Sequence, residues 1–277
     1  MSQLNVAVAQ INPQLCELDA NLAMHHDWIR QARELQAELL LFPELSLTGY
    51  QVGRRTPAMA MKRDDPRLQA LARESGDMVS WVGFIESAGP GEYYNAMAAL
   101  QQGHVIGVHR KLNLPTYGGL EEGKWFHAGQ DLDLYSCASD WQAACMICAD
   151  MWNPALVHCA MLQRPDLLLS PANSASAIVS DHFSNEQNWA VNLQFYAMIY
   201  GMPVLMANRY GPEGDAHFWG GSRILGPRGE ILALAEDQEC LIMAQLDAEQ
   251  TAAARFDHPA IRDANTALVQ RLLKTIG

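Results

Sequence analysis

The chain has 277 residues, 49% of them hydrophobic and 18% charged. That length and apolar share exclude a disordered chain and allow a large core without disulfide staples. Nineteen Lys and Arg against thirty-one Asp and Glu leave a formal charge of −12, which opposes binding to nucleic acid and rules out a polybasic membrane anchor.

The elements follow in chain order. Leu4 to Gln10 alternates and is rich in valine, which predicts a strand. Asp19 reads as the N-cap of a helix reaching about Ala37. Leu39 to Phe42 is a short apolar run stopped by Pro43, as in a buried strand. A helix is expected over Asp65 to Ser75 and a strand over Val79 to Ile85. Tyr94 to Gln101 and His104 to Arg110 flank Gln102-Gly103, which predicts a hairpin. Gln142 to Ile147 is the next strand, and Pro154 opens a helix to Gln163.

Leu167 to Ser170 reads as a strand, Asp181 to Tyr200 as a helix and Val204 to Ala207 as a strand. A second hairpin joins Ser222–Leu225 to Glu230–Leu234 around Pro227-Arg228-Gly229. A strand over Leu241 to Leu246 and a helix over about 259–276 end the chain. Gln187 to Asn208 carries no charge. Its asparagines, Gly201 and Pro203 make it a buried helix and strand rather than a membrane span. Crossovers mixed with hairpins, and no linker, imply one α/β domain over 1–277 with mixed sheets.

The six cysteines lie mainly in apolar runs, and Met1-Ser2-Gln3-Leu4 lacks the basic start and long apolar stretch of a secretory signal. The expectation is a reduced, cytoplasmic protein. Cys145 and Cys148 form a C-x-x-C pair, but Cys145 lies inside the apparent strand, which argues against a redox motif. His25-His26, His158-Cys159 and His182 are too scattered for a zinc site.

Three reactive residues fall where strands end: Glu44 after Leu39–Phe42, Lys111 after His104–Arg110, and Cys148 after Gln142–Ile147. Sites in α/β sheets collect at carboxyl ends of strands. A thiol can attack, a carboxylate can take its proton, and an ammonium can stabilise an oxyanion. Singly, each has another reading: Glu44 as a turn cap, Lys111 as a surface lysine, Cys148 as an inert buried thiol.

The surrounding residues favour the joint reading. Phe42-Pro43-Glu44-Leu45-Ser46-Leu47-Thr48-Gly49-Tyr50 resembles the glutamate motif of the nitrilase superfamily of carbon–nitrogen hydrolases. His109-Arg110-Lys111-Leu112-Asn113-Leu114-Pro115 resembles its lysine motif. Ile147-Cys148-Ala149-Asp150-Met151-Trp152-Asn153-Pro154 resembles its cysteine motif. Pro165-Asp166-Leu167-Leu168-Leu169 and Phe218-Trp219-Gly220-Gly221-Ser222 resemble later blocks, in family order.

The resemblance implies an α-β-β-α sandwich of two mixed sheets flanked by helices. It implies Cys148 as nucleophile, Glu44 as general base and Lys111 as third catalytic residue. Lys111 and the Ala149 N–H become the oxyanion donors. Glu122 aligns with the family's second glutamate, and Glu121 is the alternative. The implied reaction cleaves the C–N bond of a small amide or N-carbamoyl compound through a thioester, with no metal or organic cofactor. Cys148-Ala149-Asp150 is more like the amidase and carbamoylase branches than the Cys-Trp-Glu of nitrilases. The Ile-Cys-x-Asp-x-Trp-x-Pro pattern and Tyr-Gly loop also resemble glutaminase domains attached to NAD synthetases, although a free-standing hydrolase is expected.

Ala155 stands where the family has a glutamate after Pro154, and His158 lies near the place of a basic residue. Nitrile hydrolysis and a catalytically silent binding protein are therefore the alternatives. Tyr117, Trp152, Asn173 and Trp189 are candidate substrate-binding residues. Phe218-Trp219 are further candidates, from this chain or from a partner subunit. The resemblance implies a homodimer or higher homo-oligomer, with the helices at 154 and 181 at the contact. Trp189, Phe195, Tyr196 and Met198 are the residues that would serve it, or else fill the core.

Overall fold

The structure is a computed structural model that describes residues 3–276 other than 181. Two six-stranded sheets face each other. The first has the order β14-β1-β2-β3-β4-β5, with β1 Gln3–Gln10, β2 Leu39–Leu41, β3 Val79–Gly89, β4 Glu92–Gln101, β5 His104–Arg110 and β14 Cys240–Asp247. The second has the order β13-β12-β9-β8-β7-β6. Its strands are β6 Leu134–Ser136, β7 Gln142–Cys145, β8 Leu167–Ala172, β9 Val204–Asn208, β12 Arg223–Leu225 and β13 Ile231–Leu234. Each sheet pairs three central strands in parallel, β1-β2-β3 and β7-β8-β9, and closes with antiparallel strands.

Strand alternation divides the core into layers. Val6, Val8, Leu39, Leu41 and Trp81 point between the sheets, onto Ala143, Cys145, Leu167, Leu169 and Leu205. Ala7, Ala9, Leu40 and Val82 point outward under α1 Leu18–Glu34 and α3 Pro66–Ser75. On the far side, Ala144, Leu168, Val204 and Met206 lie under α4 Pro154–Leu162 and α5 Asn185–Tyr200. The result is an α-β-β-α sandwich, as the resemblance implied.

Several boundaries differ from the sequence reading. Glu17, not Asp19, holds the N-cap position of α1, without a side-chain bond, and Asp19 sits in the first turn, where its charge suits the helix dipole. Residue 181 lies outside the described residues, and α5 starts at Asn185, where the Ser184 hydroxyl accepts from Gln187 N. The expected helix over 259–276 is shorter. A separate helix, α6 Ala248–Asp257, precedes it, capped by Asp247, and α7 covers Thr266–Ile276. A two-stranded hairpin, β10 Tyr210–Glu213 and β11 Ala216–Trp219, went unread because Gly211, Pro212 and Gly214 look like loop. The short strand β6 and the one-turn helix α2 Thr56–Met59 were also missed.

Candidate active site

Three loops leave the strand ends and converge. Glu44 stands three residues beyond β2. Its loop lies on β3, where a Cβ on Gly83 would come within 2.4 Å of both Pro43 O and Leu45 N. Only glycine admits that approach. Leu45 follows with φ of 46°, a left-handed conformation that a leucine rarely adopts. Lys111 begins the loop after β5. Its N–H donates to Asn95 O at 2.8 Å, and its carbonyl accepts from Gly129 N at 2.8 Å. Cys148 opens a single 3-10 turn, Cys148–Trp152, with φ of 47°. Strained backbone of this kind costs ~1–3 kcal/mol per residue and persists only where the surroundings enforce it.

Here Asp150 helps to enforce it. One carboxylate oxygen accepts from Leu112 N at 3.0 Å and Asn113 N at 2.6 Å, and the other accepts from Ile147 N at 3.0 Å. The buried carboxylate therefore ties the lysine loop to the cysteine turn.

The side chains meet in a dry centre. Lys111 Nζ, fully buried, donates to Glu44 Oε1 at 2.6 Å and to Glu122 Oε1 at 2.7 Å. Asn95 Nδ2 donates to Glu44 Oε1 at 2.7 Å, and Asn173 N to Glu44 Oε2 at 2.8 Å. Asn173 Nδ2 also donates to the Glu44 carbonyl at 2.6 Å. The Tyr50 hydroxyl donates to Glu122 Oε1 at 2.7 Å. Glu122 Oε2 is buried without a partner. Of the two adjacent glutamates, Glu122 reaches Lys111, while Glu121 lies outside and pairs with Lys124.

Burial sets the protonation. It pushes the Cys148 thiol well up, the Glu44 carboxylate adds to this, and Lys111 opposes it without prevailing. Burial works against the Lys111 ammonium, but Glu122 and Glu44 outweigh it and hold the amine charged. Burial raises Glu122 from 4.5 to about 7 against the pull of Lys111. Lys111 does favour the thiolate, but burial and the carboxylates outweigh it. Two carboxylates absorb the lysine's charge, and the thiol rests protonated.

Cys148 and Ala149 wall a cavity of about 160 Å³, smaller than the ~300 Å³ at which pockets for drug-sized ligands begin. Tyr117, Trp152, Asn173 and Trp189 all line it. Tyr117 is half exposed at the mouth, and the Trp152 ring meets Trp189 and Phe183 edge-on at 5.2 and 5.6 Å. Phe218 and Trp219 stand behind the wall, both buried, with Trp219 Nε1 donating to Ser174 Oγ at 3.2 Å. His158 turns away, its Nδ1 3.0 Å from the Tyr200 hydroxyl. Sequence reasoning missed Tyr50, Asn95, Asp150, Ser174 and Asn185. An asparagine within the apolar run Ala96–Leu100 and its flank is the one signal that could have pointed to Asn95. Among the described residues no cluster of His, Cys, Asp and Glu could hold a metal ion, and no helix is long and apolar enough to cross a membrane.

This fold, with its buried lysine between two carboxylates beside a thiol, defines the class. The chain belongs to the carbon–nitrogen hydrolase family, whose model matches residues 5–256. It is 27% identical over 279 residues to N-carbamoylputrescine amidase of Arabidopsis thaliana, covering 94% of this chain and 92% of that protein. It is 28% identical over 259 residues to the glutamine-dependent NAD(+) synthetase of Thermotoga maritima, covering 90% of this chain but 43% of the synthetase. The chain thus spans less than half the length of that relative. The crystal structure of a carbon–nitrogen hydrolase from Helicobacter pylori G27 superposes with a TM-score of 0.83 at 25% identity, over 98% of this chain and 99% of that one.

Proposed function

We propose that the protein hydrolyses a non-peptide C–N bond of a small amide or N-carbamoyl compound through a thioester on Cys148. The observation that carries this reading is the fully buried Lys111 ammonium held between Glu44 and Glu122, with Glu122 and Cys148 lining the adjoining cavity. Similarity along nearly their whole length to N-carbamoylputrescine amidases supports the amide branch.

The steps follow from the geometry. Cys148 starts as a thiol, so its proton passes to Glu44 as sulfur attacks the carbonyl carbon. The carbonyl oxygen becomes an oxyanion, met by Lys111 and the Ala149 N–H. The free Glu122 Oε2 is an acceptor for the substrate's amide N–H. Collapse breaks the C–N bond, and Glu44 returns the proton to the departing ammonia or amine. Water then gives a proton to Glu44 and attacks the thioester carbonyl. The C–S bond breaks, the acid leaves and the thiol is restored. Asn95 and Asn173 N–H hold Glu44 in place through both stages.

The test is ammonia release over amides, carbamoyl amines and nitriles, with intact mass of the acylated protein. A mass gain confined to Cys148 and lost in Cys148→Ala supports the mechanism. Ammonia release by Cys148→Ala would overturn it, and turnover of nitriles alone would overturn the branch.

The whole chain acts in this reading as one hydrolase unit, and its free thiols suit a reducing compartment such as the cytoplasm. We infer a homodimer through α5. Trp189 and Tyr196 are buried in the core, but Val191, Phe195 and Met198 on the same helix are exposed, as are Ile231, Leu232 and Leu234 of β13. Gly229 in the β12–β13 turn approaches Met198, so the two apolar areas adjoin. A monomer in gel filtration at micromolar concentration would exclude this.

A further inference from the structure

The acyl side of the cavity has a chemistry of its own. Tyr117, Leu120, Trp152, Ile178, Val179 and Phe183 form a largely apolar part of the cavity wall. No arginine, lysine or histidine is among the described lining residues, and Glu122 is the one carboxylate there. A carboxylate on the acyl group would be stripped of water with no counter-charge, and an ammonium would find only Glu122, whose charge Lys111 already meets.

A polar group with one unpartnered atom adjoins this part of the wall. Asn185, the first residue of α5, lines the cavity with only 6% of its surface exposed, and its amide has an atom without a partner. Its identity follows from Ser174. Ser174 Oγ lies 3.0 Å from Trp189 Nε1, 3.2 Å from Trp219 Nε1 and 3.0 Å from the Asn185 amide. A hydroxyl accepts twice and donates once, whereas an indole N–H can only donate. The two tryptophans therefore take both acceptor positions. With Asn185 Nδ2 against the serine there would be a third donor on a filled oxygen, and Oδ1 would be left bare. With the two ends of the amide exchanged, the serine proton goes to Oδ1, and the serine, both indoles and the amide oxygen are satisfied. The Asn185 NH2 is then free to face the cavity as a donor.

We propose that the site selects amides whose acyl group is uncharged and largely apolar, and that Asn185 donates a hydrogen bond to one acceptor atom, such as an ether or carbonyl oxygen, on that group. This rests on the hydrolase reading above and narrows it. Asn185 touches neither Glu44 nor Lys111 in the hydrogen-bond network, so it acts on substrate choice rather than on the proton transfers.

The experiment measures ammonia release from four kinds of primary amide of matched length: alkanamides, methoxyalkanamides with the ether oxygen moved along the chain, ω-carboxy amides and ω-amino amides. The wild-type protein is expected to favour the neutral amides by at least about a hundredfold in kcat/KM. At least one methoxyalkanamide should exceed its alkyl isostere by about fivefold to tenfold, chiefly through a lower KM. Asn185→Leu and Asn185→Ala should abolish that ether-over-alkyl ratio, whatever their absolute activity. Charged amides turned over within tenfold of neutral ones, in a reaction lost in Cys148→Ala, would overturn the substrate class while leaving the hydrolase reading intact. An unchanged ether-over-alkyl ratio in both Asn185 variants would overturn the role of Asn185. No ammonia from any amide, together with no acyl adduct on Cys148, would refute the hydrolase reading and this inference with it.

Discussion

Replacing Asp150 with asparagine should cost both stability and rate, because one carboxylate holds two catalytic loops. Asp150 accepts three backbone N–H bonds, two from the lysine loop and one from Ile147 before the cysteine. Hydrogen bonds to a charged group contribute ~1.5–3 kcal/mol each, against ~0.5–1.5 for neutral ones. Asparagine keeps one oxygen, so one loop retains weakened bonds. Its NH2 faces N–H donors at the other loop, where a buried bond becomes a clash whichever way the amide turns. The sum is about 3–4 kcal/mol. At ~2–4 °C per kcal/mol for a chain of roughly this size, Asp150→Asn should melt about 6–16 °C lower. At 25 °C the variant should stay folded, so the rate can be read separately. A shift of 1 Å between reacting groups can cost ~100-fold, and kcat/KM for ammonia release should fall by that order. A variant that melts within 1 °C of wild type and keeps its kcat/KM would refute the view that Asp150 registers the two loops.

Two further perturbations probe how Glu44 is carried. His25 is buried against Phe42, with Nδ1 2.7 Å from Asn21 O and Nε2 2.9 Å from Ser46 Oγ. Facing a carbonyl, Nδ1 must carry the proton, so the neutral ring accepts from Ser46. Burial lowers this histidine from 6.5 to about 4. Its contribution to stability is therefore present above pH 6.5 and lost as pH falls through 4. Wild type should lose about 2–3 kcal/mol more than His25→Asn between pH 7 and pH 4.5 in urea unfolding. A wild-type loss no larger than the variant's would count against a neutral buried ring. Gly83→Ala would drive a methyl into Pro43 O and Leu45 N. Overpacking costs ~1–3 kcal/mol, and the displaced Glu44 loop should lower kcat/KM at least tenfold. Thermal melts and steady-state rates within error of wild type would contradict that close approach.

Much of the site was legible because strands deliver it. Glu44, Lys111 and Cys148 are set by where apolar runs stop, and period-two alternation fixes which face each strand turns inward. The sandwich follows from the same alternation, with Val6 and Val8 toward one layer and Ala7 and Ala9 toward the other. What sequence reasoning could not reach depends on contacts across the chain. Asn95 and Tyr50 touch the centre from 51 and 72 residues away from their carboxylates, and the only local sign is the asparagine beside the apolar run Ala96–Leu100. Asn185 reads as an ordinary helix-opening residue until Ser174 and two tryptophans surround it. The helix α6 went unread because Ala248 to Ala254 lacks a clear apolar stripe, and it meets the sandwich mainly through Thr251 and Ala254. Proline and glycine hid β10–β11, although Gly220, with φ of 66°, had to be glycine where a Cβ would meet the Gln10 side chain at 2.7 Å.

The protonation of the centre follows from its charge count. With Glu44, Glu122 and Cys148 all ionised beside one lysine, the dry site would carry two net negative charges. The site avoids this by favouring the protonated forms of Cys148 and Glu122. Burial and then Glu44 push the Cys148 thiol up, and burial brings Glu122 to about 7. In the proposed reaction the thiolate therefore forms only as its proton leaves for Glu44, and the nucleophile is not stored as an ion pair. The prediction is a difference in reactivity. In the wild type, alkylation of Cys148 by neutral iodoacetamide should be slow at pH 7 and rise with pH through a midpoint well above that of an ordinary cysteine. Glu44→Gln removes one negative charge near the sulfur and frees Lys111 from one of its two partners. Both changes favour thiolate, so the alkylation midpoint should move to lower pH even though amide hydrolysis is lost with the base. Peptide mapping after timed alkylation separates Cys148 from the exposed Cys159. A midpoint in Glu44→Gln equal to or above that of the wild type would mean that Glu44 does not hold the thiol protonated.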